Sequence, residues 1–339
     1  MGQVRAPALV ATIAAAAALA CLGTGCSSTR TGGGDSGPGS GDRAVVGLVT
    51  KTNSNPYFVK LRESAKAEAD KRGAKLIALA GKFDGDNQGQ VDAINNLVAQ
   101  KVTGILITPS SSGGVLDAIA AARQKGVIVV ALDTATDPAG AVDATFATDN
   151  KAAGVTQGTY VRAALKGARP KAVLLDGTPG SSVDDLRHKG FLEGFGEPAS
   201  AIRGTAVTNG DQTKAQTAME NLLQREPGIN AVYTINEPAA AGAAQALASK
   251  KNVVIGSIDG SCAGVRNVAA GRFAATVMQF PEKMARMGVD AVAGYAKDRS
   301  RKPKGFVDTG SQLVTDKPAG TVASKDTAWG LKNCWGQER

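Results

Sequence analysis

The β-rich run AVVGLVT at 44–50 is followed five residues later by NPYFVKLRESAKAEADKRG at 55–73. Phe58, Leu61, Ala65 and Ala69 recur at helical spacing in the second stretch, so the pair reads as a strand, a polar turn and an amphipathic helix. Asn55 suits the N-cap, Pro56 the first turn and Gly73 the stop. The same alternation continues down the chain. Strands are expected at 75–80, 104–108, 127–132, 171–175, 230–235, 253–258 and 274–278, mostly with a helical pattern behind each. The clearest helix covers 211–225, with Ala215, Met219, Leu222 and Leu223 on one face, Asp211 at its start and Pro227 and Gly228 beyond its end. Alternation of this kind specifies an α/β fold with parallel sheets covered on both faces, and 339 residues are enough for two such lobes.

In open parallel sheets, ligands bind beyond the carboxyl ends of the strands. Asn55, Asp133 with Thr134, Asp176, Asn236 and Asp259 all stand at such ends. Carboxylates, amides and guanidinium groups together suit a polyhydroxylated ligand, because each hydroxyl both donates and accepts. Each position also has a local reading: the asparagines can cap helices and the aspartates can stabilise turns. Tyr57 lies off the apolar stripe and is the expected stacking face; Phe58 lies on it and is expected in the core.

Near the start of the chain, Arg5 precedes an apolar run from Ala8 to Leu22, too short and interrupted for a spanning helix but suited to an export signal. Gly23, Thr24, Gly25 and Cys26 follow, resembling the bacterial lipoprotein processing box, with lipidation expected at Cys26 and Cys21 as the competing site. SSTRTGGGDSGPGSGD at 27–42 reads as a flexible tether.

Apolar residues at 43% and charged residues at 20% describe a globular chain. The net charge of +9 is not accompanied by a nucleic-acid-binding motif, and its densest run, Lys297 to Lys304, is flanked by Pro303 and Gly305 as in a solvated loop. One histidine, His188, set between Arg187 and Lys189, makes neither a zinc cluster nor a good general base. DGTPGSS at 176–182 lacks the P-loop lysine and the dinucleotide fingerprint. The reading is therefore a binding protein, not an enzyme, without cofactor, metal or nucleic acid.

VGLVTKTNSNPYFVKL at 46–61, GILITPS at 104–110, VVALDT at 129–134, ATDNKAAG at 147–154, LRHKGFLEGF at 186–195, YTINEPAAAGA at 233–243, GSIDGSCAGV at 256–265 and TVMQFPEKMARMG at 276–288 resemble the periplasmic sugar-binding proteins of ABC importers, of the ribose-binding type. GKFDGDN at 81–87, TINEPAAAGA, DGSCAGV and the terminal LKNCWG are most similar to fructose-binding lipoproteins within that family. The resemblance implies two Rossmann-like lobes, the type I periplasmic-binding-protein fold, with three crossovers near 148–150, 278–281 and 306–310. On that plan, 1–25 is the signal, 26–43 the tether, 44–148 with 280–306 the first lobe, and 149–279 with 307–339 the second. It implies a monosaccharide, fructose first, held by Asn55, Tyr57, Asp133, Arg187, Asn236, Asp259 and Gln279, and a Cys262–Cys334 disulfide, which an exported setting permits. Thr134, Lys51 and Gly210 depart from the ribose pattern of arginine, serine and a covering aromatic, which argues against ribose. The implied protein is a monomer anchored on the outer side of the cytoplasmic membrane, with permease subunits as partners. A sugar-responsive regulator would need a DNA-binding headpiece before Ala44, where signal and tether stand instead; a sugar-sensing receptor component remains the other alternative.

Overall fold

The computed structural model describes residues 43–336. Cys21, Cys26, the signal and nearly all of the tether lie outside the described residues.

The first sheet contains β1 (Val45–Thr50), β2 (Lys75–Ala80), β3 (Gly104–Ile107), β4 (Ile128–Leu132), β5 (Ala144–Ala147) and β11 (Gly305–Asp308), in the order β11-β5-β4-β3-β1-β2, all parallel. β3 and β4 are buried along their whole length, as parallel strands covered on both faces require. One face packs on α1 (Pro56–Lys71) and α9 (Pro281–Lys297), where Leu61, Ala65, Met284 and Val289 join Val46 and Leu106. The other face packs on α2 (Asn87–Ala99) and α3 (Leu116–Gln124), through Ile94, Leu97 and Ile119 against Ile105 and Val129.

The second sheet holds β6 (Ala172–Asp176), β7 (Ile202–Val207), β8 (Ala231–Thr234), β9 (Val254–Asp259), β10 (Ala275–Met278), β12 (Gln312–Val314) and β13 (Ser324–Lys325), in the order β13-β12-β10-β9-β8-β6-β7. Only the β10–β12 pairing is antiparallel. Its helices are α4 (Asn150–Ala164), α5 (Ser182–Phe195), α6 (Gln212–Arg225), α7 (Glu237–Ala246), α8 (Cys262–Ala269) and α10 (Thr327–Asn333). Two parallel-dominated sheets clothed in helices are the α/β fold expected from the alternation.

Local signals act as their chemistry predicts. The Asn55 side chain accepts from the Tyr57 amide at 3.0 Å and caps α1, and Asp211 accepts from the Lys214 amide at 2.9 Å and caps α6. Gly73, just beyond α1, takes φ +65°. Tyr57 corrects the sequence reading, because it is buried in the core beside Phe58, not off the stripe, and its ring meets Phe58 and Trp335 edge-on. Residues 57, 61, 65 and 68 continue one helical face, so the stripe is one column wider than the four apolar positions suggested.

The chain passes between the sheets at 148–149, 279–280 and 309–311. β11 carries the first sheet to Asp308, so a boundary after 306 would cut this strand, and the third passage follows it.

Candidate functional site

A cavity lies between the two sheets at the carboxyl ends of their strands. All seven residues singled out by sequence line it: Asn55, Tyr57 and Asp133 from the first lobe, and Arg187, Asn236, Asp259 and Gln279 from the second or its crossover. The local and the cleft readings of the asparagines are both met, since Asn55 and Asn236 cap α1 and α7 while also lining the cavity. Asp176, the remaining strand-end residue, is turned instead to His188, whose Nδ1 is 2.8 Å from its carboxylate. That contact raises the His188 pKa. Arg187 turns into the cleft, so the surroundings of His188 in space are acidic, contrary to its chain neighbours.

The cleft residues are held from behind. Arg187 donates from Nε to Asn150 Oδ1 at 2.8 Å and from Nη1 to the Ile235 carbonyl at 2.9 Å. Gln279 Nε2 donates to Asp259 Oδ1 at 2.9 Å, and the Glu237 amide donates to Asp259 Oδ2 at 3.3 Å. Thr134 Oγ1 donates to Asp133 Oδ2 at 2.9 Å, so this departure from the ribose pattern steadies the first carboxylate. Asp133 and Asp259 both have positive φ, +62° and +152°, conformations that cost energy and that gather at functional sites. Gly210 also has positive φ, +63°, and a Cβ there would come within 2.5 Å of Asn236 Nδ2. A side chain at this position would be strained by the backbone and would have to displace the Asn236 amide.

Three buried polar atoms in this lining have no hydrogen-bond partner among the described residues: Arg187 Nη2, Gln279 Oε1 and Asp84 Oδ1. One is a donor and two are acceptors, and leaving such atoms unpaired costs ~1–3 kcal/mol each. Pairing them takes one acceptor and two donors, which a ligand carrying two or more hydroxyls supplies, since each hydroxyl both donates and accepts.

Burial pushes the Tyr57 phenol well above its ordinary range, with Asp133 and Asp259 adding to the shift, so it stays a neutral donor. Burial first, and the neighbouring Glu237 second, raise Asp259 well above the usual carboxylate range. Glu237 is pushed up to about 7 by burial, against donors from Ser261, Thr276 and the Gly260 amide. Gly264 permits this packing, since a Cβ there would meet Glu237 Oε1 at 1.8 Å. A carboxyl whose folded pKa lies above its unfolded value binds a proton in the native state that the unfolded chain has lost, so stability falls as pH rises through that window. The ligand-free protein should therefore lose melting temperature between about pH 4.5 and 7. Thermal scans of wild type and Glu237→Gln check it, with a flatter slope expected in the variant; identical slopes would remove Glu237 as the source.

Several cleft residues were not legible as such in the sequence. Lys51, noted only as a departure from serine, is buried in the cavity wall and donates to Ser181 Oγ of the opposite lobe at 3.3 Å. Asp84, Thr178 and Asp184 also line the cavity, and Phe58, expected only in the core, does both. Trp335 acts from behind: its Nε1 donates to the Asp259 carbonyl at 3.1 Å and the Gln279 carbonyl at 3.2 Å, and its ring lies 5.5 Å from that of Tyr57. Cys262 and Cys334 are joined by a disulfide, Cα atoms 4.9 Å apart, which fixes the segment bearing this tryptophan.

The lobes are closed on one flank. Ser112 N donates to the Gly180 carbonyl, Ser182 N to Ser112 Oγ and Ser182 Oγ to the Ala135 carbonyl, each at 2.9 Å. In this closed form the inner cavity measures about 50 Å³, room for a few waters at roughly 10–15 Å³ each. A sugar ring therefore enters by parting the lobes.

Residues 46–300 match the family model described as a periplasmic binding protein domain. The chain belongs to the periplasmic sugar-binding proteins of ABC importers. This periplasmic binding protein is 32% identical over 249 residues to the ribose import binding protein of Bacillus subtilis, covering 73% of this chain and 80% of that protein. It is 31% identical over 266 residues to the D-allose-binding periplasmic protein of Escherichia coli, covering 75% and 85%. A solved ABC transporter solute-binding protein from Mycobacterium smegmatis, with bound glycerol, superposes with a TM-score of 0.73 at 28% identity, covering 80% of this chain and 93% of that one. A periplasmic binding protein of this family is a carrier and not an enzyme, as the absence of an activated nucleophile in the sequence suggested.

Proposed function

We propose that this periplasmic binding protein captures a monosaccharide, with fructose ranked first, between its lobes and delivers it to an ABC permease. The observation that carries the reading is the meeting of Asp133 and Asp259 from opposite lobes around unpaired atoms of both hydrogen-bonding senses, Arg187 Nη2 and Gln279 Oε1. Hydroxyls on a ring would pair them, and closure would then bury the bonds in a dry cleft. The ranking of fructose rests on the GKFDGDN, TINEPAAAGA, DGSCAGV and LKNCWG motifs. It is supported by the three departures from the ribose pattern, since Lys51 and Gly210 line the cavity and Thr134 bonds to Asp133. Ribose and allose, the ligands named for its relatives, are the competing sugars.

Thermal-shift and calorimetric titration with D-fructose, D-ribose and D-allose test the reading. Ligand at a hundredfold excess over Kd should stabilise the protein by ~2.7 kcal/mol. Stabilisation by ribose or allose alone would reassign the sugar, and binding of an amino acid in place of any sugar would remove the class. The proposal extends to the chain's setting: exported, lipidated at Cys26 or Cys21, monomeric and tethered to the outer side of the cytoplasmic membrane. Mass spectrometry of the N-terminal peptide from the membrane fraction reads the anchor directly, and an unmodified N-terminus would exclude it.

A further inference from the structure

We infer that the open flank of the cleft is a second subsite, which holds a sugar ring linked to the one captured in the inner cavity. This inference rests on the sugar reading above and extends it from a monosaccharide to a disaccharide-type ligand. Beside the inner cavity lies a chamber of about 590 Å³, within the ~300–1,000 Å³ of small-molecule sites. The two spaces share Asn55, Asp84, Gly210 and Asp259, so a ligand in one is continuous with the other.

The chamber exists because closure is one-sided. Ser112, Ala135 and Lys51 bond across to residues 180–182 on one flank. On the other flank, no hydrogen bond among the described residues joins the 52–56 and 82–84 loops to the starts of α6, α7 and α8. The lining there is of the mixed kind that sugars use. Asn209, Lys214 and Asn267 offer polar groups, and Phe83 offers an aromatic face.

Phe83 is 59% exposed, and its loop is not free to fold it away. Asp86 accepts from the Lys82 amide and the Gly89 amide, each at 2.9 Å, and the Asp86 amide donates back to the Phe83 carbonyl at 3.1 Å. The turn thus presents a large apolar ring to water at the rim of a polar chamber. A sugar's C–H face covering it would remove that surface from water. Asp84, the next residue but one before this capping aspartate, carries the unpaired Oδ1 at the junction of the two spaces. It stands where the linkage and its flanking hydroxyls would pass.

Calorimetric titration of the mature chain with D-fructose and with four fructose disaccharides of different linkage, sucrose, turanose, lactulose and isomaltulose, tests the subsite. At least one disaccharide should bind roughly tenfold more tightly than fructose. Phe83→Ala should abolish that gain and leave fructose affinity within about twofold, since the ring does not line the inner cavity. Fructose binding without any disaccharide binding as well or better overturns the subsite alone. So does an equal loss for both ligand types in Phe83→Ala. Failure of fructose and of all four disaccharides to bind defeats the fructose reading at the inner cavity and this inference with it.

Discussion

Sugar binding weakened by roughly thirty- to more than a hundredfold is the expected result of Asp133→Ala and of Asp259→Ala, each measured by calorimetry. The estimate follows from the loss of one buried hydrogen-bonding carboxyl group from a desolvated cleft, about 2 to 3 kcal/mol. Each carboxylate is buried, and the two reach the cavity from different lobes, so each variant removes half of the clamp. The two differ in what they leave behind. Asp133→Ala frees Thr134 Oγ1, a hydroxyl that can turn to another acceptor, whereas Asp259→Ala strips the partner from Gln279 Nε2 but also relieves Glu237 of a like charge. Asp259→Ala also leaves the Glu237 amide without its acceptor, so the affinities are compared on variants shown to be folded by their ligand-free melting. Asp133 has φ +62°, where Asn is better tolerated than Ala, so Asp133→Asn separates backbone strain from lost charge. Wild-type affinity in both alanine variants would sink the site.

Loss of roughly 4 kcal/mol of stability is expected for Cys262→Ala combined with Cys334→Ala, because the bridge closes a long loop that the unfolded chain must otherwise explore. The sequence separation is 72 residues. Denaturant titration of the double variant measures the loss, and stability equal to that of the oxidised wild type would refute it. A second effect is local. The Cys262 amide donates to the Trp335 carbonyl at 2.8 Å, and Ser261 pairs with Trp335 in an isolated bridge. Freed from the tether, Trp335 would leave the Asp259 and Gln279 carbonyls without their shared donor. Affinity should fall with stability, although neither cysteine is part of the inner cavity wall.

The strands that could be read from sequence were those rich in β-branched and aliphatic residues, whether or not a glycine falls among them. IVVAL in β4 and AVLLD in β6 are buried throughout, and so short a β-rich run fits best in a strand covered on both faces. β7, IRGTAV, is an edge strand with a half-exposed pattern, and β11, GFVD, is exposed at all four residues, so neither carries that signal. β13 is the polar pair Ser324 and Lys325, which becomes a strand only because β12 lies beside it. In the cleft, Asp133 and Asp259 were visible because topology puts strand ends there. Lys51 and Ser181 were not, since their contact spans 130 positions and depends on lobe closure. Trp335 was hidden for a similar reason. Its bonds go to backbone carbonyls, which no side-chain pattern announces.

The serine latch on the closed flank is made by backbone and serine groups of the two lobes, and this gives capture a speed limit. Ser112, Ser182, Gly180 and Ala135 hold the two lobes together through hydrogen bonds between protein groups alone. Molecules resting in this form must release the latch before a ring can pass into a cavity of about 50 Å³. The observed association rate would then rise with sugar concentration at first and level off at the rate of spontaneous opening.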